Sequence, residues 1–146
     1  MVKKVFLGVL VSGSGSNLQS LIDHVERGAL DAEIRMVVSN NPCAFALERC
    51  RKHGIPSAII DHREFPSRET FEDRLVDVLQ TAGVDLVVMA GFMRILSRKF
   101  FQSFPMRVMN IHPALLPAFP GMQVQQKAVD YGVKFSGCTV HFADEG

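Results

Sequence analysis

Apolar residues alternate along this chain between two spacings. Residues 5–11 form one continuous apolar run, the length and composition of a strand buried on both faces. Past a Gly/Ser turn, Leu18, Leu21, Ile22 and Val25 recur at three- and four-residue intervals, which predicts a helix over 16–27 stopped at Gly28. The alternation then repeats. Strands are predicted at 34–39, 58–60, 86–90, 107–111 and 137–142, and helices at 44–53, 69–81, 97–104 and 123–131. Asn40-Asn41-Pro42 ends the second strand, Gly54, Gly83 and Gly132 stand at helix ends, and Ser97 is placed to cap its helix. The last strand carries some polar alternation.

Apolar strands that alternate with amphipathic helices imply an α/β fold: a Rossmann-like, doubly wound, mostly parallel sheet with helices on both faces. Residues 1–146 are read as a single domain. Ligands of such sheets bind beyond the carboxyl ends of the strands. That directs attention to three segments, 12–17, 91–96 and 110–121.

The first is Ser12-Gly13-Ser14-Gly15-Ser16-Asn17, between a strand and a helix. Glycines let backbone N–H groups approach an anion, and a helix start adds unpaired donors and partial positive charge. No Gly-Lys-Ser/Thr succeeds it, so it is not a P-loop. Leu18 stands where a dinucleotide fingerprint needs glycine, and the second strand ends in Ser39-Asn40 rather than an acid. A mononucleotide phosphate fits; so does a plain tight turn in which Ser16 caps the helix.

The second segment, Gly91-Phe92-Met93-Arg94-Ile95-Leu96, is apolar where loops are ordinarily polar. It suits either the wall of a pocket for a flat ligand, with Arg94 meeting an anionic group, or packing under the next helix. Arg68, near the start of the third long helix, could reach an acid; an isolated arginine in such a place is more often a solvated charge.

In the third, Asn110 and His112 are two residues apart and project to one face of an extended chain. Pro113, Pro117 and Pro120 stiffen the loop beyond them. An amide donor beside an imidazole can stabilise an oxyanion and move a proton, which is equipment for acyl transfer without a protein nucleophile. No nucleophile elbow is present. The alternative is a tethering asparagine and a surface histidine.

Composition leaves this picture in place. With 47% hydrophobic and 21% charged residues over 146 positions, the chain has globular proportions, and its net charge of +1 gives no pull toward nucleic acid or membrane. The basic start and apolar run of residues 1–11 share features with a secretory signal. The Gly/Ser turn leads straight into an amphipathic segment, however, so 8–11 is read as a buried strand and the protein as cytoplasmic. Cys43, Cys50 and Cys138 form no CxxC pair and are expected to be reduced and mostly packed. His112, Cys138 and His141 match no zinc spacing, so no metal is expected. His24, His53 and His62 are read as surface residues.

Taken together, Ser12 to Gln19, Ala90 to Ser97, Asn110-Ile111-His112-Pro113-Ala114-Leu115-Leu116-Pro117 and Gly137-Cys138-Thr139-Val140-His141-Phe142 resemble the phosphoribosylglycinamide formyltransferase family. The resemblance implies transfer of a formyl group from 10-formyltetrahydrofolate, the co-substrate, to the amine of glycinamide ribonucleotide in purine biosynthesis. It implies that Gly15, Ser16 and Asn17 hold the nucleotide, and that Arg68, Met93, Arg94, Ile95 and Leu96 contact the folate. By the same resemblance Asn110 polarises the formyl carbonyl and stabilises the oxyanion, and His112 transfers the proton. One cavity is then expected, with Asn110 and His112 on one side and the 14–17 turn on the other.

The chain closes on Phe142-Ala143-Asp144-Glu145-Gly146 with no helix after it, and the family's catalytic aspartate falls just beyond Gly146. The expectation is a formyltransferase domain lacking its C-terminal part and catalysing poorly; Asp144 is not assigned the aspartate's role. A monomer or weak homodimer, with no nucleic acid or membrane partner, completes the expectation. Related readings are formyltetrahydrofolate deformylase, which uses water as acceptor, and methionyl-tRNA formyltransferase, which has a further domain and a different first loop. A non-enzymatic folate- or nucleotide-binding fragment is the alternative from another class; Leu18 and Ser39-Asn40 disfavour a nicotinamide oxidoreductase.

Overall fold

The computed structural model describes residues 3–144, and the alternation of strands and helices is realised along them. In chain order the elements are β1 (Val5–Val11), α1 (Ser16–Glu26), β2 (Ala32–Ser39), α2 (Phe45–His53), β3 (Ser57–Ile59), a 3₁₀ turn (His62–Glu64), α3 (Arg68–Thr81), β4 (Leu86–Met89), α4 (Arg98–Ser103), β5 (Val108–His112), α5 (Val124–Tyr131) and β6 (Thr139–Phe142). Of the acidic turn at the end of the chain, Glu145 and Gly146 lie outside the described residues, as do Met1 and Val2 at its start.

The strands form one sheet in the order β3-β2-β1-β4-β5-β6. Pairings from β3 through β5 are parallel, and β6 runs antiparallel to β5, with Asn110 opposite His141 and His112 opposite Thr139. This is the Rossmann-like, mostly parallel sheet expected. The reversal of β6 agrees with its polar alternation, since an antiparallel edge strand can leave one face wet.

β1 sorts the core by its side-chain alternation. Leu7, Val9 and Val11 pack with Leu18 and Ile22 of α1 and Ala46 and Cys50 of α2. Leu10 faces the other way, toward Phe71, Leu75 and Leu79 of α3 and Phe100 of α4. Each fully buried leucine or phenylalanine here contributes about 2–3 kcal/mol through removal from water. Gly8 admits α3 to the sheet: a Cβ there would lie 2.6 Å from Leu79 Cδ2. Helices therefore cover both faces.

Some local expectations change. Cys43 and Cys138 are exposed, and only Cys50 is packed, its thiol pushed up to about 11 by burial. The 3₁₀ turn has no counterpart among the predicted elements. Its start is capped by Asp61, whose carboxylate accepts the Arg63 N–H at 3.0 Å. His62 on this turn is half-buried and meets the Phe71 ring edge-on at 6.1 Å, so it is not a simple surface histidine.

Candidate active site

The chain leaves β1 toward β2 on one side of the sheet, while β4 lies on β1's other side. The loops after β1 and β4 thus face each other across a crevice at the reversal of strand order, where ligands of open α/β sheets bind. Ser12 fastens the two. Its hydroxyl donates to Asn40 Oδ1 at 2.5 Å and accepts the Met93 N–H at 2.8 Å, and it is 9% exposed.

The glycine turn enters α1 with Gly15 as N-cap at φ +73°, and no side chain caps the helix. Ser16 is the first helical residue, so the alternative in which it serves as the cap does not hold. The N–H groups of residues 13–17 find no acceptor among the described residues. Ser12, Gly13, Ser14, Gly15, Ser16 and Asn17, with Ala90, Gly91 and Met93, line a cavity of about 200 Å³. Unpaired amides, hydroxyls and a helix start in one concavity are a receptor for an oxyanion.

The segment after β4 divides. Phe92 and Leu96 are buried against α3 and α4, while Met93 and Ile95 are 62% and 83% exposed. Met93, Arg94, Ile95 and Leu96 line a second cavity, about 400 Å³, whose other walls include Phe92, Asn110, Met122, His141 and Asp144. Its size and mainly apolar lining, with Arg94, Asn110, His141 and Asp144 as the polar groups, suit a flat heterocycle that carries polar edges. Two cavities meeting at Met93 replace the single one expected.

Asn110 is in place in the second cavity. His112 lies two residues further along β5 on the same face, half-buried, and lines neither cavity. Its Nε2 lies 2.7 Å from the Phe119 carbonyl oxygen, so Nε2–H donates and the neutral ring keeps its lone pair on Nδ1. Thr139 steadies the same loop, donating to the Ala114 carbonyl at 2.7 Å and accepting the Leu116 N–H at 3.0 Å.

Arg68 opens α3 beside the second cavity's supports without lining it; its Nε lies 3.8 Å from Glu72 Oε1. Glu72 is 2% exposed and accepts the Ser97 N–H at 2.9 Å and the Ser97 hydroxyl. Ser97 does occupy the N-cap position of α4, but its hydroxyl serves Glu72 and makes no capping bond. Met122, His141 and Asp144 join the lining without having been assigned a site role from the sequence, although His141 lies in the 137–142 motif. The alternation of β6 offers a signal for His141, since an antiparallel partner of β5 brings an inward residue opposite Asn110.

An amide-lined cavity and a larger, mainly apolar one, side by side at the switch point of a parallel sheet, define a Rossmann-like domain with two adjoining cavities where such sheets bind ligands. More particularly, the chain belongs to the formyl transferase family, whose domain model matches residues 5–146. The Trifunctional purine biosynthetic protein adenosine-3 of Drosophila melanogaster is 49% identical over 142 residues, covering 96% of this chain and 10% of that protein. The phosphoribosylglycinamide formyltransferase of Haemophilus influenzae is 41% identical over 139 residues, covering 95% of this chain and 66% of that protein. The crystal structure of glycinamide ribonucleotide transformylase 1 from Symbiobacterium toebii superposes with a TM-score of 0.96 at 44% identity, covering 98% of this chain and 68% of that one. The chain therefore spans about a tenth of the trifunctional relative and about two thirds of the others.

Proposed function

We propose that this protein transfers the formyl group of 10-formyltetrahydrofolate to the amine of glycinamide ribonucleotide. The observation that carries the reading is the junction at Met93 of the amide-lined cavity with the larger apolar one that contains Asn110. A phosphate anchored by Gly15, Ser16 and Asn17 leaves the rest of a small nucleotide free to extend toward the second site. There Met93, Arg94, Ile95 and Leu96 would enclose the folate ring system, and Arg68 would meet an acidic group of its tail. The names carried by the relatives, phosphoribosylglycinamide formyltransferase and glycinamide ribonucleotide transformylase, support the ribonucleotide as acceptor and a formyl group as cargo.

In the reaction, the amine lone pair attacks the formyl carbon and forms a C–N bond. Negative charge develops on the formyl oxygen, where the Asn110 side-chain N–H donates. The bond from carbon to folate N10 then breaks, and the proton lost by the amine is delivered to N10. His112 is the proton carrier, through Nδ1, with its ring fixed by the Nε2–H bond to Phe119. No metal takes part. We place the reaction in the cytoplasm, with the protein as a monomer or weak homodimer; among the described residues no helix is long and apolar enough to cross a membrane.

The test measures tetrahydrofolate release with and without glycinamide ribonucleotide, alongside titrations of each ligand. Release should require the amine, and His112→Ala should lower it about a hundredfold or more while both dissociation constants stay within about threefold. Release of equal rate without the amine identifies a hydrolase. A protein that binds neither ligand overturns the reading altogether.

A further inference from the structure

We propose that Arg49, on α2, is a positioning residue that presets the glycine turn for phosphate. The inference rests on the phosphate role proposed above for that turn.

Two carbonyls of the turn are engaged from behind by α2. The Ala46 N–H donates to the Gly13 carbonyl at 3.1 Å. Arg49 Nε donates to the Ser14 carbonyl at 2.8 Å, and its Nη1 donates to Gln19 Oε1 on α1 at 3.1 Å. The same guanidinium stacks on the Phe45 ring, 4.9 Å from its centroid. Arg49 is thereby held at three points and joins the turn, α1 and α2.

In a trans peptide the carbonyl and the following N–H point in opposite directions. Turning the Gly13 and Ser14 carbonyls toward α2 therefore turns the Ser14 and Gly15 N–H groups away from it. These are among the unpaired N–H groups of the amide-lined cavity. Contact is close as well: a Cβ on Gly15 would lie 2.7 Å from Ala46 Cβ and 3.3 Å from Arg49 Cδ. The turn is thus seated on α2, and Arg49 is the side chain that bonds it there. A guanidinium behind the turn also adds positive potential to a site for an anion.

A lysine would keep the charge but not the planar fork that reaches two acceptors at fixed angles. Methionine would keep the length and lose both. Calorimetric titration of the full chain with glycinamide ribonucleotide, and separately with 10-formyltetrahydrofolate, reads the difference. Arg49→Met should weaken the ribonucleotide roughly tenfold and Arg49→Lys roughly threefold, with the folate constant unchanged in both. Inorganic phosphate, as competitor, should lose affinity in the same order.

Ribonucleotide affinity in Arg49→Met equal to that of the unaltered protein overturns the proposal and leaves the phosphate site standing. Failure of the unaltered protein to bind the ribonucleotide while it binds the folate overturns the phosphate site, and the role of Arg49 with it. Equal weakening of both ligands marks a general loss of structure and also overturns the proposal. If Arg49→Met does not fold, Arg49→Lys decides alone, and an unchanged ribonucleotide constant there is refutation.

Discussion

Single residues here act through the atoms they hold as much as through those they present. His112 stands out by its chemistry and its place after a strand, and the structure keeps it at the end of β5. Its anchor, the Phe119 carbonyl, is not visible in the sequence, because a main-chain oxygen leaves no mark in the residue pattern. Phe119 itself has φ +49°, a left-handed conformation that nothing in its identity foretells. Asp61 is a second such holder. The Arg63 guanidinium, with the Arg63 N–H second, lowers its carboxyl from 3.8 to about 2. A depressed carboxyl contributes stability above its unfolded value and loses it as pH falls toward the folded one. Asp61→Asn should therefore lower the urea midpoint at pH 7, and the gap to the unaltered protein should close between about pH 4 and pH 2. A gap that persists at pH 2, measured across a pH series of urea titrations, counts against this account.

At the scale of elements, strands and long helices are legible nearly to the residue. β1 coincides with its predicted run, and α3 begins one residue before the predicted start. Strands buried on both faces must be apolar throughout, and helices that cover them must be apolar on one side, so burial writes itself into spacing. What spacing does not carry is which helix side chain braces which loop. Glu72 looks like one more acid on the surface of α3, yet it is buried and receives both polar hydrogens of Ser97. It thereby fixes the far end of the segment that lines the larger cavity. Removing the acceptor leaves two half-buried donors without their partner. Glu72→Ala should cost about 2–4 kcal/mol in chemical denaturation and weaken the folate more than the ribonucleotide. Unchanged stability would mean that Ser97 has found other partners.

For the molecule as a whole, the sheet order puts the loops after β1 and β4 beside each other, and the crevice between them follows from topology before any side chain is considered. That much can be argued from alternation alone, because right-handed crossovers and parallel strands leave few arrangements. Asn110 and the 14–17 turn are legible as cavity-lining positions for the same reason, since each follows or ends a strand on the ligand side of the sheet. The division into two cavities, and the position of His112 outside the lining of both, depend on how loops fold over the sheet edge, which has no periodic signal. Arg49 is the clearest loss. On α2 it resembles an ordinary solvated arginine, and only the packing of α2 against the turn distinguishes it.

The Ser12 hydroxyl has one neighbour in each direction: the Asn40 amide oxygen, to which it gives its hydrogen, and the Met93 N–H, from which it receives one. A single oxygen is thus a hinge pin between the floor of the amide-lined cavity and the rim of the larger one. While the pin is seated, a displacement of the Met93 backbone is passed through this hydroxyl to the turn that follows β1. In Ser12→Ala, amide hydrogen exchange should speed up together at Met93 and at Ala46, whose N–H is bonded to the Gly13 carbonyl of the turn, with the interior strands unaffected. Exchange that rises at Met93 alone would show that the two rims move independently.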